Sequence, residues 1–246
     1  MMEFNDLRRM ADAATPPTRP IAPAPAPDAR LADSLTALIE RSDFPCVGAK
    51  SALAQSGLRI ETAADITCPA DDRRIHRTLV RWSRTPADDA ADFRSLAVVF
   101  AGPRDLDERG FEAALWDRLA ALSAQDRACG HAHDPAYSSD PRDPDFALSF
   151  GGRAYFAVGL HPGASRRARR LPYPAIIFNL HDQFARLRAA NRYERMREVI
   201  LNRDVNFDGS LNPMVARHGE VSEARQYSGR EVGDDWRCPF AGREAL

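Results

Sequence analysis

The sequence lacks long apolar runs, a secretion signal and a net charge of either sign. No stretch approaches the roughly 20 consecutive apolar residues that span a bilayer, and the first residues, MMEFNDLRRM, lack the apolar core of a signal peptide. The 34 basic and 35 acidic residues leave a formal net charge of −1, which argues against a dedicated nucleic-acid binder. We therefore expect a cytoplasmic protein without membrane or nucleic-acid partners.

Paired cysteines and common catalytic motifs are missing as well. The four cysteines, Cys46, Cys68, Cys129 and Cys238, form no CxxC pair, so the sequence predicts free thiols instead of a zinc knuckle or a disulfide scaffold. GxGxxG, Walker, GxSxG and HExxH motifs do not occur. Their absence disfavours nucleotide-dependent and hydrolytic chemistry.

What is present indicates one α+β domain. A chain of 246 residues suits a single hydrophobic core. Residues 1–30 include an Ala/Pro-rich stretch that cannot bury enough surface to offset its ordering, so we predict a disordered, flexible arm before a domain at 31–246. The element order of strand, helix, hairpin, strand and helix predicts a mainly antiparallel sheet covered by helices.

The apolar pattern locates most of these elements. Helical spacing predicts one helix over about residues 31–39, which stops at Phe44-Pro45, and another over 111–122. Strands are predicted at 96–100, 146–150, 155–160 and 175–178, with a hairpin at Gly151-Gly152 between the middle two. Residues 46–53 open either a second helix or a tight loop.

A last helix is predicted after Asn179, which is expected to cap it. Its apolar face comprises Phe184, Leu187, Met196, Val199 and Ile200. From Asn206 onward the sequence is polar and Gly-rich without a clear period. Long irregular stretches of this kind are usually functional.

Two histidines are candidate metal ligands. His161 follows a predicted strand and is placed at a sheet rim, where a neutral imidazole can bind a metal, although a satisfied histidine at a turn is the commoner role. His181 falls in the first turn of the last helix, where the helix dipole favours the neutral, ligating form; a structural role is the equal alternative. His131 and His133 belong to a predicted loop, which disfavours a zinc site there.

A dense arginine run follows His161. It comprises Arg166, Arg167, Arg169 and Arg170. Guanidinium groups bind carboxylates bidentately, so a ligand with two acid groups would suit the run, and a solvated loop is the alternative. A metal centre with two propionates would use the histidine and the arginines together, which points to haem.

Cys46 is another possible axial ligand, since a helix N-terminus lowers the pKa of a thiol and so favours the thiolate. Cys238 is a weaker candidate.

Several longer motifs resemble the YqcI/YcgG family. They are FPCVGAKSA at 44–52, FAVGLHP at 156–162, SRRARR at 165–170, FNLHDQF at 178–184, NPM at 212–214, SEARQYSGR at 222–230 and WRCPF at 236–240. The resemblance covers about residues 31–241. It implies haem and oxidation at nitrogen, because the family includes haem-dependent N-hydroxylases of the guanitoxin type and of the arginine-hydroxylase type in D-cycloserine pathways.

The combined interpretation is one haem b that activates O2 or peroxide and hydroxylates the nitrogen of a small amine or guanidine, such as an arginine-like amino acid. His161 is placed first as axial ligand, with Cys46 and His181 behind it. The remaining candidates are Arg166, Arg167 and Lys50 for binding the cofactor, and Glu220 and Glu223 for binding a cationic substrate.

Two other functions stay open at this point. One is a haem carrier or gas sensor without turnover. The other is a non-haem protein whose arginines bind a phosphorylated or nucleic-acid ligand. The electron donor is not indicated, and an exposed sheet rim is compatible with a homodimer.

Overall fold

The computed structural model describes residues 28–84, 93–215 and 219–242. The strands are β1 (Leu58–Asp65), β2 (Ser95–Gly102), β3 (Leu148–Phe150), β4 (Arg153–Leu160) and β5 (Ala175–Leu180). The α-helices are α1 (Ala29–Glu40), α2 (Val47–Ala54), α3 (Asp72–Arg84), α4 (Glu108–Ala128), α5 (His181–Ala189), α6 (Tyr193–Asp208) and α7 (Ala224–Tyr227). Short 3-10 turns occupy Pro69–Asp71, Arg167–Arg169 and Pro239–Gly242.

The strands form one sheet in the order β1-β2-β5-β4-β3. β1 pairs with β2 in parallel, and the other neighbouring strands are antiparallel. β3 and β4 are joined at Gly151 and Gly152, whose φ angles of 62° and 77° lie in the left-handed region that glycine tolerates. The predicted α+β class, the mainly antiparallel sheet and the hairpin are therefore confirmed.

Each face of the sheet has its own apolar core, because successive residues of a strand point to opposite sides. On the first face, Leu96, Val98 and Phe100 of β2 belong to the core formed with α3 and α4. On the second face, Ala97 and Val99 pack with α1. The first face is packed closely enough that a Cβ on Gly159 would lie 2.7 Å from side-chain atoms of α4.

Most elements predicted from apolar spacing are present; several are longer than predicted, whereas the strand predicted at 146–150 is shortened to β3, Leu148–Phe150. The predicted helices over 31–39 and 111–122 correspond to α1 and α4, and residues 47–54 form a helix rather than a loop. The sequence analysis missed β1 and α3. The helix α3 is rich in arginine, yet its buried residues Ile75, His76, Leu79 and Ser83 recur at helical spacing.

The last predicted helix needs two corrections. Asn179 does not cap it, because Asn179 lies within β5 and its Oδ1 accepts a hydrogen bond from the Ser95 hydroxyl at 2.6 Å. The helix is also divided into α5 and α6 near Asn191, whose φ of 54° breaks the helical backbone. Consequently Val199 is 41% exposed instead of lying on a buried face.

Three further expectations concern the whole chain. The predicted arm falls outside the described residues except for 28–30, where the Asp28 side chain accepts from the Arg30 N–H and caps α1. The four cysteines are free thiols, as predicted. Among the described helices, none has the length and apolar character needed to cross a membrane.

Candidate functional site

A largely apolar cavity of about 310 Å³ lies between the second face of the sheet and helices α1, α2 and α6. Its walls include Leu35, Ile39, Phe93, Val158, Ile177 and Met196. Ligand sites typically have volumes of about 300–1,000 Å³ and apolar walls with a few polar groups. The cavity therefore has the size and character of a small-molecule or cofactor site.

Cys46 supplies a thiol to this cavity at the start of α2. Its Sγ accepts the backbone N–H of Ala49 at 3.4 Å, so the side chain is the N-cap of the helix. Burial raises the pKa of the Cys46 thiol, while the N–H groups of Ala49 and Gly48 and the charge of Arg169 act in the opposite direction. The free protein therefore holds Cys46 as a thiol that nearby donors and a cation are placed to stabilise as a thiolate.

Arg169 lines the same cavity with a partly buried guanidinium. Its Nη1 donates to the carbonyl of Gly159 at 3.0 Å and of Tyr227 at 3.5 Å, and its Nη2 donates to the carbonyl of Gln226 at 3.2 Å. Burial lowers the pKa of Arg169 to about 10, and Cys46 partly opposes this effect. Carbonyls do not neutralise the cation, so apart from the opposing charge of nearby Asp204 its positive charge is available to an anion in the cavity.

Arg166 also lines the cavity, but carboxylates of α6 already contact it. Its Nη2 lies 2.7 Å from Asp204 and 3.5 Å from Asp208, and it donates to the carbonyl of Ser210 at 2.8 Å. Burial raises the pKa of Asp204, and the Arg166 charge opposes that shift. A ligand carboxylate would therefore have to compete with this buried ion pair for Arg166.

The other basic candidates lie outside the cavity walls. Arg167 is exposed, donates to the carbonyl of Phe207 at 2.7 Å and lies over that ring at 4.6 Å from its centroid. Lys50 donates to the carbonyls of Ile39, at 3.0 Å, and of Arg41 at the end of α1. Arg170 donates to the carbonyl of Ala164 at 3.0 Å. Such bonds stabilise helix ends and turns.

A second compartment of about 160 Å³ adjoins the main cavity. The two share Phe156, Phe184 and Met196 as walls, and Glu223 lines the smaller one. Tyr193, Arg188 and Arg197 lie in the same wall. The compartment thus combines aromatic surfaces and the Glu223 carboxylate, which attract organic cations, with two guanidinium groups, which repel them.

His181 packs behind this compartment. It is 2% exposed, its Nε2 lies 3.1 Å from Glu223 Oε2, and its ring lies 4.6 Å from that of Tyr137 and 6.1 Å from that of Phe184. Its predicted position in the first turn of a helix is confirmed, since α5 begins at His181. Glu220 is exposed and does not line either compartment.

His161 directly follows β4, as predicted, but its ring is buried against α4 instead of being accessible at the rim of the sheet. The ring stacks on Phe111 of α4 with centroids 4.2 Å apart, and the residue is 1% exposed. Burial lowers its pKa, opposed by the nearby carboxylates of Glu108 and Asp107. His161 does not line the cavity that contains Cys46. Cys238 is buried in the core of the first face, also away from that cavity.

Some cavity residues were missed by the sequence analysis. Ser95 and Asn179 are register partners on β2 and β5, and both line the cavity. Gln183 lines it too, and its amide bonds both the N–H and the carbonyl of Arg94. Ser95 and Asn179 become neighbours through the pairing of β2 with β5, which apolar spacing does not predict.

The fold and cavity define an α+β protein with a ligand-sized site between a sheet and its helices. A model of the YqcI/YcgG family matches residues 35–241, so the chain belongs to the YqcI/YcgG family. No curated protein and no solved structure gives a match.

The electrostatics of Cys46 predict its reactivity in the protein without a bound ligand. At neutral pH iodoacetamide should label the exposed Cys68 well before Cys46, because burial holds Cys46 in the unreactive thiol form. Labelling of Cys46 should increase as the pH rises. Replacing Arg169→Met should move its labelling midpoint to still higher pH, because the opposing charge is lost. Peptide mass spectrometry measures both effects.

A matched control for the charge is Arg142→Met, at an arginine whose side chain is 77% exposed and paired with Asp140. This variant should leave the pH midpoint for labelling of Cys46 unchanged. Equal labelling of Cys46 and Cys68 at neutral pH, or an unchanged midpoint in Arg169→Met, would contradict the assigned environment.

Proposed function

We propose that the protein is a haem-dependent N-hydroxylase of a small amine or guanidine substrate. The observation that carries the proposal is the position of the Cys46 thiol, at the N-terminus of α2 and in the wall of a ligand-sized apolar cavity. Membership of the YqcI/YcgG family supports it, because the family resemblance implies haem and oxidation at nitrogen.

The residues around the cavity fit a haem in three respects. Apolar walls suit a macrocycle, the thiol of Cys46 is a known type of axial ligand, and Arg169 offers positive charge beside it. Coordination to a metal deprotonates a thiol outright, so the raised pKa of free Cys46 does not oppose this role. Bound there, haem would supply the activation of O2 or peroxide that side chains do not provide.

Within this proposal we place Cys46 ahead of His161 and His181 as axial ligand. His161 packs flat against Phe111 outside the cavity walls, so coordination would require it to leave that stack. His181 lies in an aromatic cluster beside Glu223. Cys46 already lines the cavity, at the N-terminus of α2.

For the propionate groups, Arg169 and Arg166 are better placed than Arg167. Both line the cavity, whereas Arg167 is exposed and held by Phe207. Arg169 donates to carbonyls and is influenced by the charge of Asp204, while Arg166 pairs directly with Asp204 at 2.7 Å and would have to share its bonds with that carboxylate. We therefore expect Arg169 to contribute more to anchoring.

The smaller compartment is the candidate site for the cationic substrate, where the attraction of Glu223 and the aromatic walls has to exceed the repulsion of Arg188 and Arg197. Glu223 would bind a guanidinium or ammonium group by charge-assisted hydrogen bonds, and Phe156 and Phe184 would exclude water around it. The Nε2 atom of His181 lies 3.1 Å from Oε2 of Glu223 and would hold that carboxylate in position. Glu220 is exposed and is not given this role.

The first prediction from this proposal concerns haem binding. Haem-free protein titrated with hemin should develop a Soret band that saturates near one haem per chain. Cys46→Ala should lose or strongly perturb the complex. In the wild type, the ferrous CO complex should absorb well to the red of a histidine-ligated one, since the thiolate donates electron density to iron.

His161→Phe is the matched control, because phenylalanine keeps the stack on Phe111 and removes both ring nitrogens. It should keep the wild-type spectrum. If His161→Phe abolishes haem binding while Cys46→Ala preserves it, the axial ligand is His161 instead. Failure of wild-type protein to bind hemin would refute the proposed function.

The second prediction concerns the substrate. In a turnover assay with reductant and arginine-like guanidines, mass spectrometry should detect products that have gained one oxygen atom on nitrogen. Glu223→Gln should raise KM roughly 10-fold or more while haem content stays unchanged, because a charge-assisted hydrogen bond of about 1.5–3 kcal/mol is lost. The paired variant Glu220→Gln should behave as wild type. An equal KM effect of both variants would remove Glu223 from the substrate site.

A further inference from the structure

Three potential metal ligands converge on the first face of the sheet, away from the cavity that contains Cys46. His76 lies on α3, Asp126 lies in the last turn of α4, and His131 follows the end of α4. One ligand atom from each residue lies within 4.8 Å of the others. Two of the three are nearly inaccessible, since His76 and Asp126 are each 3% exposed, and His131 is half-buried.

The two buried members are held in a fixed arrangement. His76 Nε2 lies 2.6 Å from Asp126 Oδ1, and the backbone N–H of Gly151 donates to the same carboxylate at 3.0 Å. Gly151 belongs to the turn between β3 and β4, so the hairpin orients Asp126 toward His76. Hydrogen bonds that orient ligating carboxylates are a regular feature of metal sites.

The third member distinguishes this cluster from a simple buried His–Asp hydrogen bond. The His131 ring lies 6.0 Å from the His76 ring at an interplanar angle of 42°, which is not a stacked pair. His131 and Asp126 both line a pocket of about 400 Å³. A ligand sphere completed by His131 would therefore open toward this pocket, which provides an entry path for an ion and its water.

We propose that His76, Asp126 and His131 bind a divalent transition-metal ion, with zinc as the preferred probe. Two imidazoles and one carboxylate form a three-ligand set that leaves one coordination position of a tetrahedral ion for water. Bond lengths of about 2.0–2.1 Å place tetrahedral ligand atoms about 3.3 Å apart. His76 and Asp126 therefore need to separate by about 0.7 Å, and His131 needs to approach them by at most about 1.5 Å. The ion replaces the proton now shared by these two groups, and that proton leaves Nε2 for solvent or for Nδ1 of the same ring.

His133, two residues beyond His131, serves as the internal contrast. It lines the same pocket, but its ring nitrogens lie 2.9 Å from the carbonyl of Asp134 and 3.1 Å from that of Ala147. Those contacts direct the imidazole toward the backbone instead of the cluster. The geometry therefore assigns His131, and not His133, to the ion.

The experiment is a zinc titration of the full chain against a competing fluorescent chelator. All proteins carry Cys68→Ser and Cys129→Ser, so that exposed thiols contribute no binding. The parent should bind one zinc per chain and its Tm should rise with zinc. His131→Ala should weaken zinc binding at least 10-fold and abolish the rise in Tm, whereas His133→Ala should match the parent.

Asp126→Asn is the second test of the ligand set, because it keeps the shape of the side chain and removes the charge that zinc needs. It should also weaken zinc binding at least 10-fold.

His131 lies in a half-buried loop, so the His131→Ala variant is expected to fold, and circular dichroism checks this. A parent that binds no zinc, or equal losses in His131→Ala and His133→Ala, would overturn the proposal.

Discussion

The guanidinium of Arg169 is the group on which the arrangement of the main cavity depends. It connects the end of β4 to α7 through the carbonyls of Gly159, Gln226 and Tyr227. These bonds hold the cation in place without cancelling its charge, and desolvation lowers its pKa to about 10. A desolvated charge of this kind favours an anionic partner nearby. Asp204 in the cavity wall already acts on this charge, and the Cys46 thiol, as thiolate, and a ligand carboxylate are further anionic partners.

The irregular C-terminal segment becomes part of the site through one buried carboxylate. Glu112 on α4 accepts hydrogen bonds from the Ser228 hydroxyl at 3.2 Å, the Trp236 indole N–H at 3.2 Å and the Arg230 guanidinium at 2.9 Å. A fully hydrogen-bonded buried carboxylate can order a segment with little regular secondary structure, here the short helix α7 and the irregular residues after it. Residues 222–236 are thereby fixed to α4, and Glu223 is placed in the wall of the smaller compartment.

Apolar spacing was sufficient to predict α1 and α4, each of which buries an apolar face. The Gly-Gly turn predicted the hairpin, and a continuous apolar run predicted the strand at 175–178, whose residues contribute to the cores on both faces of the sheet. Apolar spacing did not predict α3, because the many arginines of this helix outnumber the few residues that it buries. It also did not predict the role of Asn179, because its hydrogen-bond partner Ser95 lies far away in the sequence, on β2. For the site, the sequence named Cys46 and Glu223 from their chemistry. It also ranked His161 first, since adjacency to the arginine run cannot reveal that the ring stacks on α4.

The central claim is that the cavity beside Cys46 binds haem through the thiolate. A crystal structure of the hemin complex, with the iron located by its anomalous scattering, tests this most directly. The account predicts iron bonded to Sγ of Cys46, with the macrocycle between the second face of the sheet and α6. Iron bonded to His161 or His181, or haem located outside this cavity, would contradict it.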